Sequence, residues 1–192
     1  MLATRSSLVA GLLAAALLGF GQAGWIHTKA MVAQWLLEGA WVRVRAGEPG
    51  ARPWPWADTS PVAELTVPRL AEEVLVLDGA SGRTLAFGPA HVAGSAPLGS
   101  VGNAILTGHR DTHFDFLRHL QTGDRIEVRD AGGEDSIYTV VSLAIAHVDE
   151  LRLSVFALRP ELTLVTCFPF DAVTPGGPWR YVVRAEVEGP VA

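Results

Sequence analysis

Leu162-Thr163-Leu164-Val165-Thr166-Cys167 is a short apolar run that ends in the single cysteine of the chain. Its aliphatic and β-branched residues predict a buried β-strand, and the proline at position 169 predicts that the strand stops there. Because side chains alternate along a strand, we expect it to have two distinct faces. One face carries Thr163, Val165 and Cys167, and the other carries Leu162, Leu164 and Thr166. The run therefore predicts a thiol at the rim of a β-sheet.

Short strands and turns continue through the chain from Pro61 onward. Further strands are expected at Val62–Val67, Glu73–Leu77, Asn103–Thr107, Arg125–Arg129, Ile137–Val148 and Trp179–Val187. The segment Ala90–Gly102 is rich in Gly, Ser and Pro and is expected to be a loop, and Phe114–Leu120 is expected to be a short helix or turn. About eight strands with only short helical insertions predict a mostly β domain, either a sandwich or a closed barrel.

The composition is that of a globular protein rather than a disordered one. Of the 192 residues, 49% are hydrophobic and 18% are charged. The formal net charge is −5, Lys29 is the only lysine, and there is no basic run. Nucleic acid is therefore not an expected partner.

The N-terminus contains an apolar stretch from Leu8 to Ile26 that is long enough to cross a bilayer as a helix. Arg5 precedes this stretch and favours a cytoplasmic N-terminus. We expect residues 1–27 to be a retained single-pass signal anchor in the cytoplasmic (inner) membrane. The alternative is a cleaved signal peptide, because Gly21-Gln22-Ala23 is a small-x-small site. In both cases the chain after residue 30 lies on the periplasmic or extracytoplasmic side.

Residues 28–60 are expected to link this anchor to the β domain at residues 61–192. Apolar residues recur at helical spacing over Thr28–Ala46, and the sequence Gly47–Gly50 is expected to end that helix. The tryptophans of the Arg52–Trp56 segment are expected to cover an apolar surface of the domain.

An exported domain with one cysteine has no internal disulfide, which indicates a reactive thiol or an intermolecular bridge. Taken alone, Cys167 is better explained by simple packing, because a free cysteine is usually buried and behaves as a small hydrophobic residue. His109 follows the strand Asn103–Thr107, and Arg180 lies on the next strand after Cys167. A Cys/His pair supplies a thiolate nucleophile and a proton donor, and a guanidinium stabilises an oxyanion. Taken alone, His109 is also compatible with an ordinary loop histidine, and Arg180 with a solvated strand arginine.

Three of these segments resemble the sortases, the cysteine transpeptidases of cell surfaces. Thr163–Cys167 resembles their TLxTC signature, Thr107–Phe114 (TGHRDTHF) resembles their histidine segment, and Arg180–Val183 resembles the strand that carries their arginine. The resemblance covers roughly residues 61–190. The anchor, the helix and the Trp-Pro connector are most similar to the sortases of Gram-negative bacteria.

The resemblance implies an eight-stranded closed β-barrel and cleavage of a C-terminal LPxTG-like sorting signal between Thr and Gly. It implies that Cys167 forms a thioacyl intermediate, that His109 protonates the leaving amine, and that Arg180 positions the substrate. The implied partners are a surface or secreted protein that carries the signal and an acceptor amine or water. No cofactor is implied.

Other functions are also open. A zinc hydrolase would use His109, His113 and Cys167, although HRDTH lacks the glutamate of the H-E-x-x-H motif. An L,D-transpeptidase would have its His and Cys close together in an SHGC-type motif, which this sequence does not contain. A tethered β domain that only binds a partner would need no reactive thiol. Calcium is not expected, because the acidic residues near the hairpin loops do not form a ligand pattern; these are Asp130, Glu134, Asp135, Asp149 and Glu150.

Overall fold

A computed structural model describes residue 25 and residues 28–188. The chain divides into two compact units, residues 1–36 and residues 37–192. In the first unit, residues 28–36 are helical. The predicted membrane segment Leu8–Ile26 lies outside the described residues, apart from Trp25. Of the helices in the described part of the chain, none combines the length and the apolar character needed to span a bilayer.

The second unit contains a closed eight-stranded β-barrel, so the barrel rather than the sandwich is confirmed. The strands lie in the order β1-β2-β3-β4-β7-β8-β6-β5 around the barrel. Neighbouring strands are antiparallel except for β2 with β3 and β4 with β7, which are parallel. The strands are β1 (Pro61–Val67), β2 (Glu72–Asp78), β3 (Ala90–His91), β4 (Gly102–Thr107), β5 (Arg125–Asp130), β6 (Asp135–His147), β7 (Pro160–Phe168) and β8 (Trp179–Val187).

The prediction of a loop over Ala90–Gly102 was wrong at its start, where β3 lies. This strand has two residues, which is too short for any periodicity to reveal it. Ala90 pairs with Leu77 of β2 on one side and with Thr107 of β4 on the other. The two-residue strand therefore closes the barrel between β2 and β4. The predicted short helix is a 3₁₀ helix at Asp115–His119.

The barrel interior holds one large apolar core to which β7 and β8 both contribute. Leu162 and Leu164 of β7 and Val183 of β8 are fully buried in it. Val165 packs instead in a separate apolar cluster with residues of β4 and β8. The predicted alternation of β7 is therefore confirmed, and the face that carries Val165 and Cys167 is the outer face of the barrel wall.

The start of the second unit packs on the barrel. Residues 37–45 are helical, as residues 28–36 are, which confirms the predicted helix. Leu37 is buried against Leu77 and Ala90. In the connector, the ring of Trp54 contacts Phe87 edge-on, with the ring centroids 5.0 Å apart. Trp56 is 82% exposed, so only the first of the two connector tryptophans covers an apolar surface.

Candidate active site

Cys167 is a free thiol on the penultimate residue of β7, and its side chain is half-buried. Its Cα partner on β8 is Arg180. Directly opposed residues on antiparallel strands are about 4.5–5.5 Å apart and project from the same face of the sheet. The sulfur and the guanidinium stem therefore stand side by side on the outer wall of the barrel.

Arg180 uses one nitrogen to bond the backbone of its own segment. Its Nη1 donates to the carbonyl oxygen of Gly177 at 2.7 Å and to that of Trp179 at 2.9 Å. Its Nε and Nη2 groups make no hydrogen bond within residues 28–188. The two bonds from Nη1 fix the side chain to its own backbone, and the N–H groups of Nε and Nη2 remain available to an acceptor beside Cys167.

His109 lies two residues beyond the end of β4, and its side chain is exposed. Because β4 runs parallel to β7, with Thr107 opposite Val165, the carboxyl ends of both strands meet at one edge of the barrel. Two hydrogen bonds extend this contact past Thr107. The Gly108 N–H donates to the Val165 carbonyl at 3.3 Å, and the Thr166 hydroxyl donates to the Gly108 carbonyl at 2.7 Å. The residue that follows is His109.

The structure thus brings the three predicted site residues to one edge of the barrel, at the ends of three adjacent strands. His109 follows the carboxyl end of β4, and Cys167 lies at the carboxyl end of β7. Arg180 lies at the start of the antiparallel β8. Residues distant in the chain therefore become neighbours, because parallel pairing of β4 with β7 aligns their ends.

Gly108 is required by packing rather than by an unusual backbone angle. It is not among the described glycines with a positive φ. A Cβ placed on it would lie 2.9 Å from two ring carbons of Phe114, which is fully buried in the barrel core. The ring of Phe114 therefore packs directly against the backbone that leads into His109.

We expect Gly108→Ala to lower the free energy of unfolding by about 1–3 kcal/mol, because a methyl group inserted against a buried ring overpacks the core. Urea denaturation followed by tryptophan fluorescence measures this loss. Gly82→Ala is the matched control, since a Cβ at Gly82 meets no atom within 4 Å and its φ is not positive. Equal stability of the two variants would contradict the packing argument.

His113 is half-buried next to His109. Burial lowers the pKa of His113 below its usual value of 6.5, and the neighbouring charge of His109 lowers this pKa further. Within residues 28–188, no three His, Cys, Asp or Glu side chains are grouped to hold a metal ion. The zinc alternative, which needs His109, His113 and Cys167 together, has no ligand group in this part of the chain.

The lowered pKa of His113 predicts that acid destabilises the fold. Below about pH 6.5 the unfolded chain takes up a proton at this ring while the folded chain resists it, so stability falls as the pH decreases. We expect His113→Gln to lose less stability than the parent between pH 7.5 and pH 5.0, measured by urea midpoints. His119→Gln removes an exposed histidine as the control. An unchanged pH dependence in His113→Gln would contradict the prediction.

An apolar surface covers the outer wall next to Cys167. Ile105, Val165 and Val182, from β4, β7 and β8, pack under the connection between β6 and β7 at residues 148–159. Asn103 ties down this connection. Its backbone N–H donates to the Val155 carbonyl at 3.0 Å, and its Nδ2 donates to the Ser154 carbonyl at 2.8 Å.

Two residues around the site were not recognised from the sequence. Asn103 is buried, and its Oδ1 accepts a hydrogen bond from Thr163 at 2.9 Å. A polar residue inside the otherwise apolar strand NAILT is the signal that marks it. Arg110 is 5% exposed and donates to three backbone carbonyls between β7 and β8. Its position directly after His109 is the only feature in the sequence that distinguishes it.

A family model described as the sortase domain matches residues 65–188 of the chain. Sortase D of Bacillus subtilis (strain 168) is 31% identical over 120 residues, which cover 62% of this chain and 60% of that protein. The structure of sortase A from Corynebacterium diphtheriae is similar with a TM-score of 0.62 and 27% identity, covering 71% of this chain and 64% of that one. Sortase C-1 from Actinomyces oris is similar with a TM-score of 0.58 and 28% identity, covering 69% and 77%. The chain thus spans less than two thirds of the first two relatives.

Proposed function

The chain belongs to the sortase family, and from this we propose that it is a cysteine transpeptidase that cleaves an LPxTG-like C-terminal sorting signal between Thr and Gly. The acyl product passes to an amine, or to water. Cys167 is the nucleophile, His109 the proton donor and acceptor, and Arg180 the group that positions the substrate and stabilises the oxyanion. The substrate is a surface or secreted protein that carries the signal.

In the first half of the reaction, the Cys167 thiolate attacks the carbonyl carbon of the Thr–Gly bond. A carbon–sulfur bond forms, and the carbonyl oxygen becomes an oxyanion that accepts hydrogen bonds from Arg180. The imidazolium of His109 donates its proton to the glycine nitrogen. The carbon–nitrogen bond then breaks, the glycine fragment leaves as an amine, and a thioester remains on the sulfur.

In the second half, the incoming amine attacks the thioester carbonyl and gives a proton to the now neutral His109. The carbon–sulfur bond breaks, and the thiolate and the imidazolium are both restored. With water in place of the amine, the same steps give hydrolysis. No oxidant, reductant or metal enters either half.

The single observation that carries this proposal is the pairing of Cys167 with Arg180 on the outer wall of the barrel. A thiol that faced the core would be a packing residue, whereas this one is half-buried on the other face. The site edge also receives the His109 segment, which is hydrogen-bonded to β7 through Gly108. Nucleophile, proton carrier and cation therefore share one edge of the barrel.

The connection between β6 and β7 supports an apolar peptide as the substrate. It shields Ile105, Val165 and Val182 beside the thiol, and it exposes Phe156 (88%) and Leu158 (96%). Leucine and proline of an LPxTG-like signal are apolar, so their burial against such a surface is favourable. We propose that the signal lies along this connection with its Thr–Gly bond at Cys167.

We propose that the apolar run Leu8–Ile26 anchors the enzyme in the cytoplasmic membrane, with the barrel on the extracytoplasmic side. This placement suits an enzyme whose substrates are themselves exported. The likeness to sortases of Gram-negative bacteria stays a prediction. Membrane fractionation of the full chain, with protease protection of the barrel in intact cells, tests the anchoring.

The test of the function is incubation of the protein with a library of LPxTG-like peptides and candidate amines, read by mass spectrometry. We expect cleavage after Thr, transfer of the acyl fragment to one class of amine, and a thioacyl adduct on Cys167. Because the chain has one cysteine, the adduct has one possible thiol. Peptide binding without cleavage or adduct would support a binding domain instead and overturn the proposal.

A further inference from the structure

Arg110 is a buried cation whose partners are backbone carbonyls. Its side chain is 5% exposed. Nη2 donates to the carbonyl oxygens of Ala172 and Thr174, both at 2.8 Å, and Nη1 donates to that of Gly176 at 3.3 Å. These carbonyls belong to one loop, which joins β7 to β8 over residues 169–178. The three bonds span the middle of that loop.

The contact between Arg110 and the β7–β8 loop lies next to all three candidate site residues. Arg110 directly follows His109, and the loop that it holds runs from just after Cys167 to just before Arg180. One guanidinium therefore joins the chain segment that carries the imidazole to the loop between the thiol and the second arginine. Within residues 28–188, no other side-chain hydrogen bond between these two segments comes from a side chain as deeply buried.

Burying the Arg110 guanidinium against neutral carbonyls is energetically costly, which indicates that the contact serves to hold the loop in place. A buried guanidinium carries a large desolvation cost, and neutral carbonyls offset it less than a carboxylate does. The Nε of Arg110 is buried and has no hydrogen-bond partner among the described residues, which adds to that cost. Arg118 contacts the same loop differently: it is more exposed and pairs with the carboxylate of Asp171 at 2.9 Å, although its Nε is likewise buried without a hydrogen-bond partner among the described residues.

We propose that Arg110 is a positioning residue for the reaction: by holding the β7–β8 loop, it sets the distance of His109 from Cys167 and Arg180. This inference rests on the proposed function. The planar guanidinium suits the role because its N–H groups point in fixed directions and reach several carbonyls at once. An ammonium at the same position keeps the charge but loses this fork geometry.

The test compares Arg110→Gln and Arg110→Lys with the parent in two assays. One assay is the pH profile of iodoacetamide alkylation, which reports on Cys167 because it is the only thiol. The other is the kinetics of peptide cleavage. We expect Arg110→Gln to shift the alkylation profile toward that of His109→Gln and to lower kcat about 10- to 100-fold with little change in KM. Arg110→Lys is expected to fall between Arg110→Gln and the parent.

Arg184→Gln is the control, since Arg184 is an exposed arginine on the outer face of β8 that pairs with Glu161 at 3.1 Å. It is expected to leave the profile and kcat unchanged. If Arg110→Gln does not fold, the alkylation profile and kcat of Arg110→Lys test the positioning role instead. A lower melting temperature with an unchanged profile and kcat would overturn the positioning role. If His109→Gln had the same alkylation profile as the parent, the proposed function itself would be overturned. The failure of the positioning role and the failure of the proposed function are therefore distinguishable.

Discussion

Cys167→Ala is expected to abolish both peptide cleavage and the thioacyl adduct, with at least a 10³-fold loss of turnover. The physical reason is that the carbon–sulfur bond is the intermediate, and no other thiol exists in the chain to form it. A methyl group at this half-buried rim position leaves the barrel core untouched, so the fold is expected to survive. Mass spectrometry of the protein and peptide after incubation measures both effects.

The control for this variant is its own stability. Circular dichroism and the thermal midpoint of Cys167→Ala are expected to match those of the parent, because Cys167 lies on the outer face and not in the barrel core. Retained cleavage in a folded Cys167→Ala protein would contradict a thioester mechanism. Loss of cleavage together with loss of the fold would instead place the thiol among packing residues.

His109→Gln is expected to lower kcat by about 10²–10⁴-fold, with a smaller effect on KM, because the leaving amine then has no positioned proton donor. Glutamine keeps a polar side chain of similar reach at this exposed position but does not titrate. Steady-state kinetics across pH 5–9 measure both effects.

Two neighbouring histidines serve as controls for His109. His119→Gln changes an exposed ring in the 3₁₀ helix and is expected to leave kcat unchanged. His113→Gln removes the half-buried ring beside His109 and is expected to change stability at low pH more than kcat. If His113→Gln lost as much kcat as His109→Gln, the proton donor could equally be His113. That result would contradict the assignment of His109.

Local patterns in the chain were sufficient for most of the barrel. The alternation of Leu162–Cys167 correctly placed Leu162 and Leu164 on one face and Val165 and Cys167 on the other, because successive side chains of a strand point to opposite faces. Which face lies in the core was decided by the barrel, since β7 has buried residues on both faces. The helix after residue 28 was also recognisable from its spacing. The two-residue strand Ala90–His91 was not, since it exists only through its hydrogen bonds to Leu77 and Thr107.

For the site, too, the sequence predicted the chemical groups, and the tertiary structure decided how they are brought together. Residue types and motifs already indicated a thiol, an imidazole and a guanidinium, because those groups are properties of Cys167, His109 and Arg180 in any conformation. Their shared edge depends on the parallel pairing of β4 with β7 and the antiparallel pairing of β7 with β8, which are contacts between distant segments. The burial of Arg110 under the β7–β8 loop has the same origin. Its partners are backbone carbonyls, which every residue carries, so the sequence does not show which of them it will meet.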